Sequence, residues 1–153
     1  MDYSFNKVTV RTDNSPKGMA KTDALWADIM SGKIPLDFMS NGMPVEGLSP
    51  VSEYSEYEND ENGKFDLTIM CVTAEFFGEL ERRVLNGEYV KIDESGADIK
   101  ECADKAWRKV WEMTARGELL RAYTRDYESV VPPPYTKDGK AHCYLYIAVT
   151  AKR

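Results

Sequence analysis

Glu128 is the residue whose neighbours in the sequence best suit binding chemistry. It follows Tyr127 and precedes the apolar pair Val130-Val131, within a stretch, 121–131, that we predict to be extended. A carboxylate in a partly dry site loses hydration, and a cation that brings apolar surface with it relieves that cost. The sequence around Glu128 therefore predicts recognition of a lipophilic cation. The alternative is a glutamate that faces water or pairs across strands, which is the commoner situation.

Aromatic side chains that could surround such a cation are spread along the chain. Each ring face that meets a cation adds about 0.5–2 kcal/mol to binding. For Trp107 and Trp111, on the apolar stripe of a predicted helix, a core role is the stronger interpretation, and Trp107 is the better candidate of the two for a binding site. The full ligand-binding set that we predict around Glu128 comprises Trp107, Tyr127, Tyr54, Tyr57, Trp26, Trp111, Tyr144 and Tyr146.

The same glutamate could also support catalysis. A general base needs a pKa raised toward neutrality, whereas a cation binder needs a carboxylate that stays ionised. We expect a binding module rather than an enzyme, with a hydrolase that uses Glu128 as the alternative. His142 is the only histidine, which removes most Ser-His-Asp and Cys-His schemes. We expect no cofactor and no metal, because the sequence has no Gly-rich phosphate loop, Cys-x-x-Cys or His-Glu-x-x-His motif.

Composition narrows the class of protein. A length of 153 residues with 42% hydrophobic residues suits one domain, and a net charge of −6 disfavours nucleic acid as a partner. No apolar run approaches the roughly 20 residues that cross a bilayer, and the N-terminus lacks a signal-peptide pattern, so we expect a cytoplasmic protein without a membrane partner. The three cysteines, at unrelated spacings, indicate reduced thiols. The oligomeric state is left open, with a homodimer as one option.

The elements that must position Glu128 follow from periodicity. Apolar residues recur at helical spacing over 98–116, where Asp98 and Glu101 form a capping-box pair, and a second helix is predicted over 15–31. Extended segments are predicted at 8–12, 49–58, 65–73, 82–85, 88–92, 121–131 and 142–150. Asn62-Gly63, Asn86-Gly87 and Asp138-Gly139 predict tight hairpins and hence antiparallel pairing. The segments 65–73 and 143–150 are apolar almost throughout, which predicts central strands.

The order strand, helix, strand, strand occurs twice, with half-repeats at about 1–78 and 79–153. Short echoes accompany it: Leu25-Trp26 with Ala106-Trp107, Tyr57-Glu58 with Tyr127-Glu128, and Ile69 to Ala74 with Tyr146 to Ala151. The sequence therefore predicts an α+β fold of duplicated βαββ type. We expect a mainly antiparallel sheet, two helices on one side, and a ligand cleft at the pseudo-twofold junction.

This element order, together with the run Arg121 to Glu128 and the closing run Tyr144 to Val149, resembles the GyrI-like, or AraC-type effector-binding, family. Leu25-Trp26, the strand from Tyr54 to Glu58, and Gly87-Glu88-Tyr89-Val90 strengthen the resemblance, which covers nearly the whole chain. It implies the SHS2-type duplicated fold and, as in BmrR-like multidrug-binding members, recognition of amphipathic cationic drugs. It also implies a free-standing member, similar to drug-binding modules carried on mobile gene cassettes.

The resemblance leaves three functions open. The first is sensing or sequestration of a cationic drug or toxin through Glu128 at the family's acidic strand position. The second is hydrolysis of cyclopropane-bearing toxins, which some members carry out, here with the same glutamate. The third is an interaction protein of the gyrase-inhibitor kind, for which a net charge of −6 is modest.

Overall fold

The computed structural model describes residues 4–30, 39–40, 43–44, 49–59, 63–131, 133 and 136–150. The chain divides into two compact units. The first unit is Met1–Glu79 with Tyr123–Arg125, and the second unit is Leu80–Ala122 with Asp126–Arg153. The elements in chain order are β1 (Ser4–Thr12), α1 (Pro16–Met30), β2 (Met39–Ser40), β3 (Met43–Pro44), β4 (Ser49–Ser55), β5 (Phe65–Val72), α2 (Ala74–Leu85), β6 (Tyr89–Gly96), α3 (Ile99–Ala115), β7 (Arg125–Val131) and β8 (Ala141–Ala148).

In the first unit, β5 lies between β1 and β4 and pairs antiparallel with both. This confirms the central position predicted for the apolar segment 65–73. Helix α1 begins after Ser15, whose hydroxyl accepts the Gly18 N–H at 3.1 Å, with Pro16 in the first turn where its missing N–H has no cost. Side chains of α1 pack on Phe65, Leu67 and Ile69 of β5.

In the second unit, β8 lies between β6 and β7 and pairs antiparallel with both, which confirms the second central strand. One face of this sheet packs against α3. The buried residues of this interface are Cys102, Ala106 and Val110 on the helix, and Cys143, Leu145 and Ile147 on β8. The three helix positions belong to the apolar stripe that the sequence predicts, and the three strand positions lie in the segment predicted to be a central strand.

The caps predicted for α3 are present. The Asp98 carboxylate accepts the Glu101 N–H at 2.8 Å, and the Glu101 carboxylate reaches back to the Ala97 N–H at 3.3 Å. At the other end, Gly117 has φ of 73°, its N–H bonds the Thr114 carbonyl, and the Glu118 N–H bonds the Met113 carbonyl. This pair of bonds is a Schellman motif.

The prediction of a strand at 82–85 is wrong, because these residues form the last turn of α2. Gly87 has φ of 78° and donates to the Val84 carbonyl, while Glu88 donates to the Arg83 carbonyl. Asn86-Gly87 therefore forms a second Schellman motif, not the predicted hairpin. The two structures need the same positive φ at glycine, so the dipeptide alone cannot separate them. Glu75 in the first turn and Arg82 in the last turn are the helix signals in this segment.

The predicted α+β class and antiparallel pairing are confirmed. Each unit contains strand, helix, strand, strand in that order, with the short β2–β3 pair added in the first unit. Among the described residues there are three helices instead of the two predicted. The additional helix, α2, connects β5 to β6. Cys102 and Cys143 are buried free thiols, as predicted, whereas the Cys71 side chain lies outside the described set. Within the described ranges, no helix is long and apolar enough to cross a membrane.

Candidate functional site

Glu128 projects from β7 toward α3. In the antiparallel pairing of β7 with β8, Glu128 lies opposite Leu145 and Val130 lies opposite Cys143. Residues that lie opposite each other share a face, and Cys143 and Leu145 face α3. A half-buried carboxylate therefore lies on the face of the sheet that packs against α3.

Trp107 of α3 holds this carboxylate directly. Its indole Nε1–H donates to Glu128 Oε2 at 2.6 Å. The helix turns Ala106 and Val110 into the core, which places the half-buried Trp107 beside them and over β7. Hydrogen bonds to ionised groups are short and about twice as strong as neutral ones, so this bond stabilises the carboxylate. The indole is a neutral donor.

Cys143 also approaches Glu128, with its Sγ 3.9 Å from the same Oε2. Burial, and then the charge of Glu128, raise the pKa of the Cys143 thiol far above its usual value. The Cys102 thiol, on the facing helix, also has a raised pKa, mainly because of burial. Nucleophilic cysteine chemistry needs a thiolate, so Cys143 acts here as a weak neutral donor and a packing residue.

Trp111 continues the aromatic surface outward from Trp107. The two indoles are one helical turn apart, with ring centroids 6.4 Å apart and planes inclined by 33°. Trp111 is 39% exposed, which is unusual for so large a ring. Together Glu128, Trp107 and Trp111 run from a half-buried anion to an aromatic ring at the surface. We call these three residues the acid–indole site.

Three of the predicted tyrosines lie on the other face of the second unit's sheet. Side chains alternate along a strand, so Tyr127 and Glu128 point in opposite directions. Tyr127 lies opposite Tyr146 in the register and Tyr144 lies two residues along β8, on the same face. Tyr127 is 6% exposed and Tyr146 is 4% exposed. Burial is the main cause of the raised pKa of Tyr144 and of Tyr146.

A cation from the chain itself already lies on this second face. Lys91 Nζ is 5.1 Å from the ring centroid of Tyr144 and 5.6 Å from that of Tyr146. The same Nζ donates to Glu81 of α2 at 2.8 Å. Burial lowers the pKa of Lys91, but the Glu81 bond and Tyr146 outweigh it, so the pKa is raised. These two tyrosines therefore hold a lysine and are separated from Glu128 by the sheet.

The remaining predicted residues pack together in the first unit. Trp26, Tyr54 and Tyr57 pack against the buried cluster of Phe65, Leu67 and Ile69. The ring centroids of Tyr54 and Tyr57 lie 5.4 and 5.8 Å from that of Phe65. Tyr54 lies opposite Leu67 on the face of β5 that α1 covers. Tyr54 therefore lies on the helix-covered face of its sheet, as Glu128 does in the second unit.

The echo between Tyr57-Glu58 and Tyr127-Glu128 does not correspond to equivalent positions. Strand β4 ends at Ser55, and Glu58 is exposed beyond it, in a turn whose backbone bonds Lys64. The Ile69 echo is also out of phase, since Ile69 faces α1 whereas Tyr146 faces away from α3. The order of elements, not these short strings, carries the duplication.

A buried ion pair lies beside the acid–indole site and was not singled out from the sequence. Arg121 Nη2 is 2.7 Å from Asp126 Oδ2, with side chains 2% and 0% exposed, and Asp126 Oδ1 accepts the Ala148 N–H at 2.8 Å. Asp126 precedes Glu128 by two residues and so shares its face. Side chains alternate along a strand, so the sequence already implies that Asp126 and Glu128 share a face. The burial of Asp126 was not predicted, because an aspartate at the start of a strand usually faces water.

No protein-family model and no curated protein matches the sequence. A solved structure, an integron cassette protein from the mobile metagenome of Vibrio cholerae, is similar in fold, with a TM-score of 0.63 and 22% sequence identity. The match covers 96% of this chain and 93% of that chain. At this identity the likeness shows the fold alone.

Proposed function

We propose that this protein is a small-molecule-binding module for amphipathic cations and that the acid–indole site is where it binds them. The observation that carries the proposal is the 2.6 Å bond from the Trp107 indole to a half-buried Glu128 on the face that packs against α3. It keeps a negative charge oriented beside an aromatic surface. A module of this kind senses or sequesters a drug or toxin.

The chemistry of the ligand follows from the three side chains. Glu128 supplies one charge, so a ligand with one cationic centre complements it. Trp107 and Trp111 supply ring faces for that cation and for apolar surface, and tryptophan is the best of the aromatic residues for this contact. Tyr127, Tyr144 and Tyr146 do not contribute to the proposed site, because they lie on the opposite face of the sheet.

The resemblance to the GyrI-like effector-binding family supports the same conclusion, since its acidic strand position coincides with Glu128. The similarity in fold to an integron cassette protein agrees with the expectation of a module carried on mobile cassettes. The proposal depends on Glu128 and its two indoles.

Quenching of tryptophan fluorescence tests the proposal. We would titrate the protein with matched cationic, neutral and anionic amphiphiles, and then repeat the titration with Glu128→Gln. Gln keeps an oxygen for the Trp107 N–H and removes the charge. We expect cation affinity to fall by about 10- to 100-fold, with neutral amphiphiles unchanged.

Glu94→Gln is the matched control, because Glu94 is a partly exposed acid of the same unit that pairs with Lys109 at 3.5 Å. This variant should bind cations as the wild type does. Equal affinity for all three charge classes, or an equal loss in both variants, would contradict the proposal.

The hydrolase remains a prediction with a separate test. Glu128 Oε2 already accepts the Trp107 N–H, and a general base must still reach a water molecule. Incubation with a strained electrophilic substrate, followed by mass spectrometry, would detect a hydrated product. Turnover that is lost in Glu128→Gln would replace the binding proposal with the hydrolase.

A further inference from the structure

His142, the only histidine of the chain, lies between two carboxylates. Its Nε2 is 2.8 Å from Asp138 Oδ2, in the turn that leads into β8, and its Nδ1 is 3.3 Å from Asp93 Oδ1 on β6. The ring is 18% exposed and stacks on Tyr144, with centroids 5.8 Å apart and planes inclined by 9°. Both ring nitrogens are therefore engaged by acids from different segments.

The number of available protons decides how many of these contacts can exist together. A carboxylate is an acceptor only, and a neutral imidazole has one N–H and one lone pair. Neutral His142 can therefore bond only one of the two acids, while its other nitrogen presents a lone pair to the second. The imidazolium has two N–H groups and bonds both.

We propose that His142 is a proton-controlled clasp: its imidazolium form joins β6 to the 136–140 turn, and its neutral form holds the turn alone. The contact that is lost is the one to Asp93, because the Asp138 contact is shorter by 0.5 Å (2.8 against 3.3 Å). Asp138 is also held in place by the Lys140 N–H at 3.0 Å. The proton that remains therefore stays on Nε2.

The charges around the ring favour the imidazolium. On β6, Asp93 contacts the ring and Ser95 lies opposite it, while Lys91 lies over the far Tyr144 ring. On β7, the residue opposite His142 is the uncharged Val131. The turn contributes Asp138, with Lys137 and Lys140 exposed at its surface.

The titration behaviour agrees with this arrangement. The bond to Asp138, and then the bond to Asp93, raise the pKa of His142 above its usual value near 6.5. Reciprocally, the Lys140 N–H and then His142 lower the pKa of Asp138 to about 2. The clasp therefore opens as pH rises through the raised pKa of His142, and Asp138 stays ionised across that change.

Nuclear magnetic resonance of the single histidine tests the clasp. Ring ¹H–¹⁵N spectra, recorded from about pH 5 to about pH 9, give the midpoint and the neutral tautomer. We expect a midpoint above the usual value near 6.5, an Nε2–H tautomer above it, and an Asp93 carboxyl carbon shift that follows the same titration. Backbone order at 93–96 should fall above the midpoint while order at 136–140 is kept.

Variants separate the two acids. Asp138→Asn should lower the midpoint more than Asp93→Asn does, and Asp104→Asn, a surface carboxylate that pairs with Lys100, should leave it unchanged. His142→Gln, which does not titrate, should abolish the pH response at 93–96. A midpoint at or below the usual histidine value, an Nδ1–H tautomer, or an Asp93 shift that ignores the titration would each overturn the proposal.

Discussion

The buried pair Arg121–Asp126 should be costly to break. Asp126→Asn keeps the shape of the side chain and an oxygen for the Ala148 N–H, but removes the negative charge 2.7 Å from the guanidinium. Breaking a buried ion pair costs about 3–5 kcal/mol, because a charge is left in a medium that solvates it poorly. Whole domains have only about 5–15 kcal/mol of stability.

Urea denaturation followed by circular dichroism measures this loss. Asp126→Ala should lose about 1–3 kcal/mol more than Asp126→Asn, because the Ala148 N–H also loses its acceptor. The matched control is Asp104→Asn, which breaks the exposed Lys100–Asp104 pair and should cost less than about 1 kcal/mol.

A double replacement tests the cause of the loss. Arg121→Met with Asp126→Leu removes both charges and fills the space with apolar atoms, so it should recover most of the stability lost in Asp126→Asn. If the free energy of unfolding of Asp126→Asn lies within about 1 kcal/mol of the wild-type value, the guanidinium is solvated well enough without the acid. That result would contradict the predicted cost of breaking the pair. Failure of the double variant to recover stability would indicate that the geometry of the pair, not desolvation, dominates.

Further changes have defined signs. Leu145→Ala, at a fully buried position, should cost about 2–5 kcal/mol by urea denaturation, and a loss under 1 kcal/mol would contradict its central place. Gly87→Ala should destabilise the fold by about 1 kcal/mol, because φ of Gly87 is 78°. Gly78→Ala, inside α2, should stabilise it by up to about 1 kcal/mol, because no atom lies within 4 Å of the new Cβ. Equal effects of the two variants would contradict the role of the positive φ. The pKa of Asp138 is lowered from 3.8 to about 2, so its ionised form stabilises the fold at pH values above 3.8. This contribution is lost as pH falls from 3.8 to about 2. The difference in stability between the wild type and Asp138→Asn should therefore shrink over that pH range.

Local signals identified most elements. Helix α3 follows from its apolar stripe and from Asp98 at its N-cap, since both depend only on residues within a few positions of each other. The central strands β5 and β8 follow from apolar runs that need cover on both faces. Helix α2 did not follow, because Asn86-Gly87 supplies a positive φ that serves a hairpin and a helix end equally well.

For the candidate site, sequence alone selected the residue types and the most important acid. It singled out Glu128 and Trp107, and the structure joins them at 2.6 Å across 21 positions of the chain. Alternation along β7 and β8 already implies that Tyr127 and Glu128 face opposite ways, but which face α3 covers depends on how the helix packs. The pairing of Lys91 with Tyr144 and Tyr146, and of Arg121 with Asp126, depends on strand register and burial.

Sequence by itself therefore determined the fold class, two of the helices and the central strands, because these reflect short-range periodicity. Only the tertiary structure decided which aromatic rings share a face with Glu128, and that His142 lies between two acids. These are contacts between residues far apart in the chain. Their geometry depends on registers and helix placement that minimise the free energy of the whole core, which no local pattern encodes.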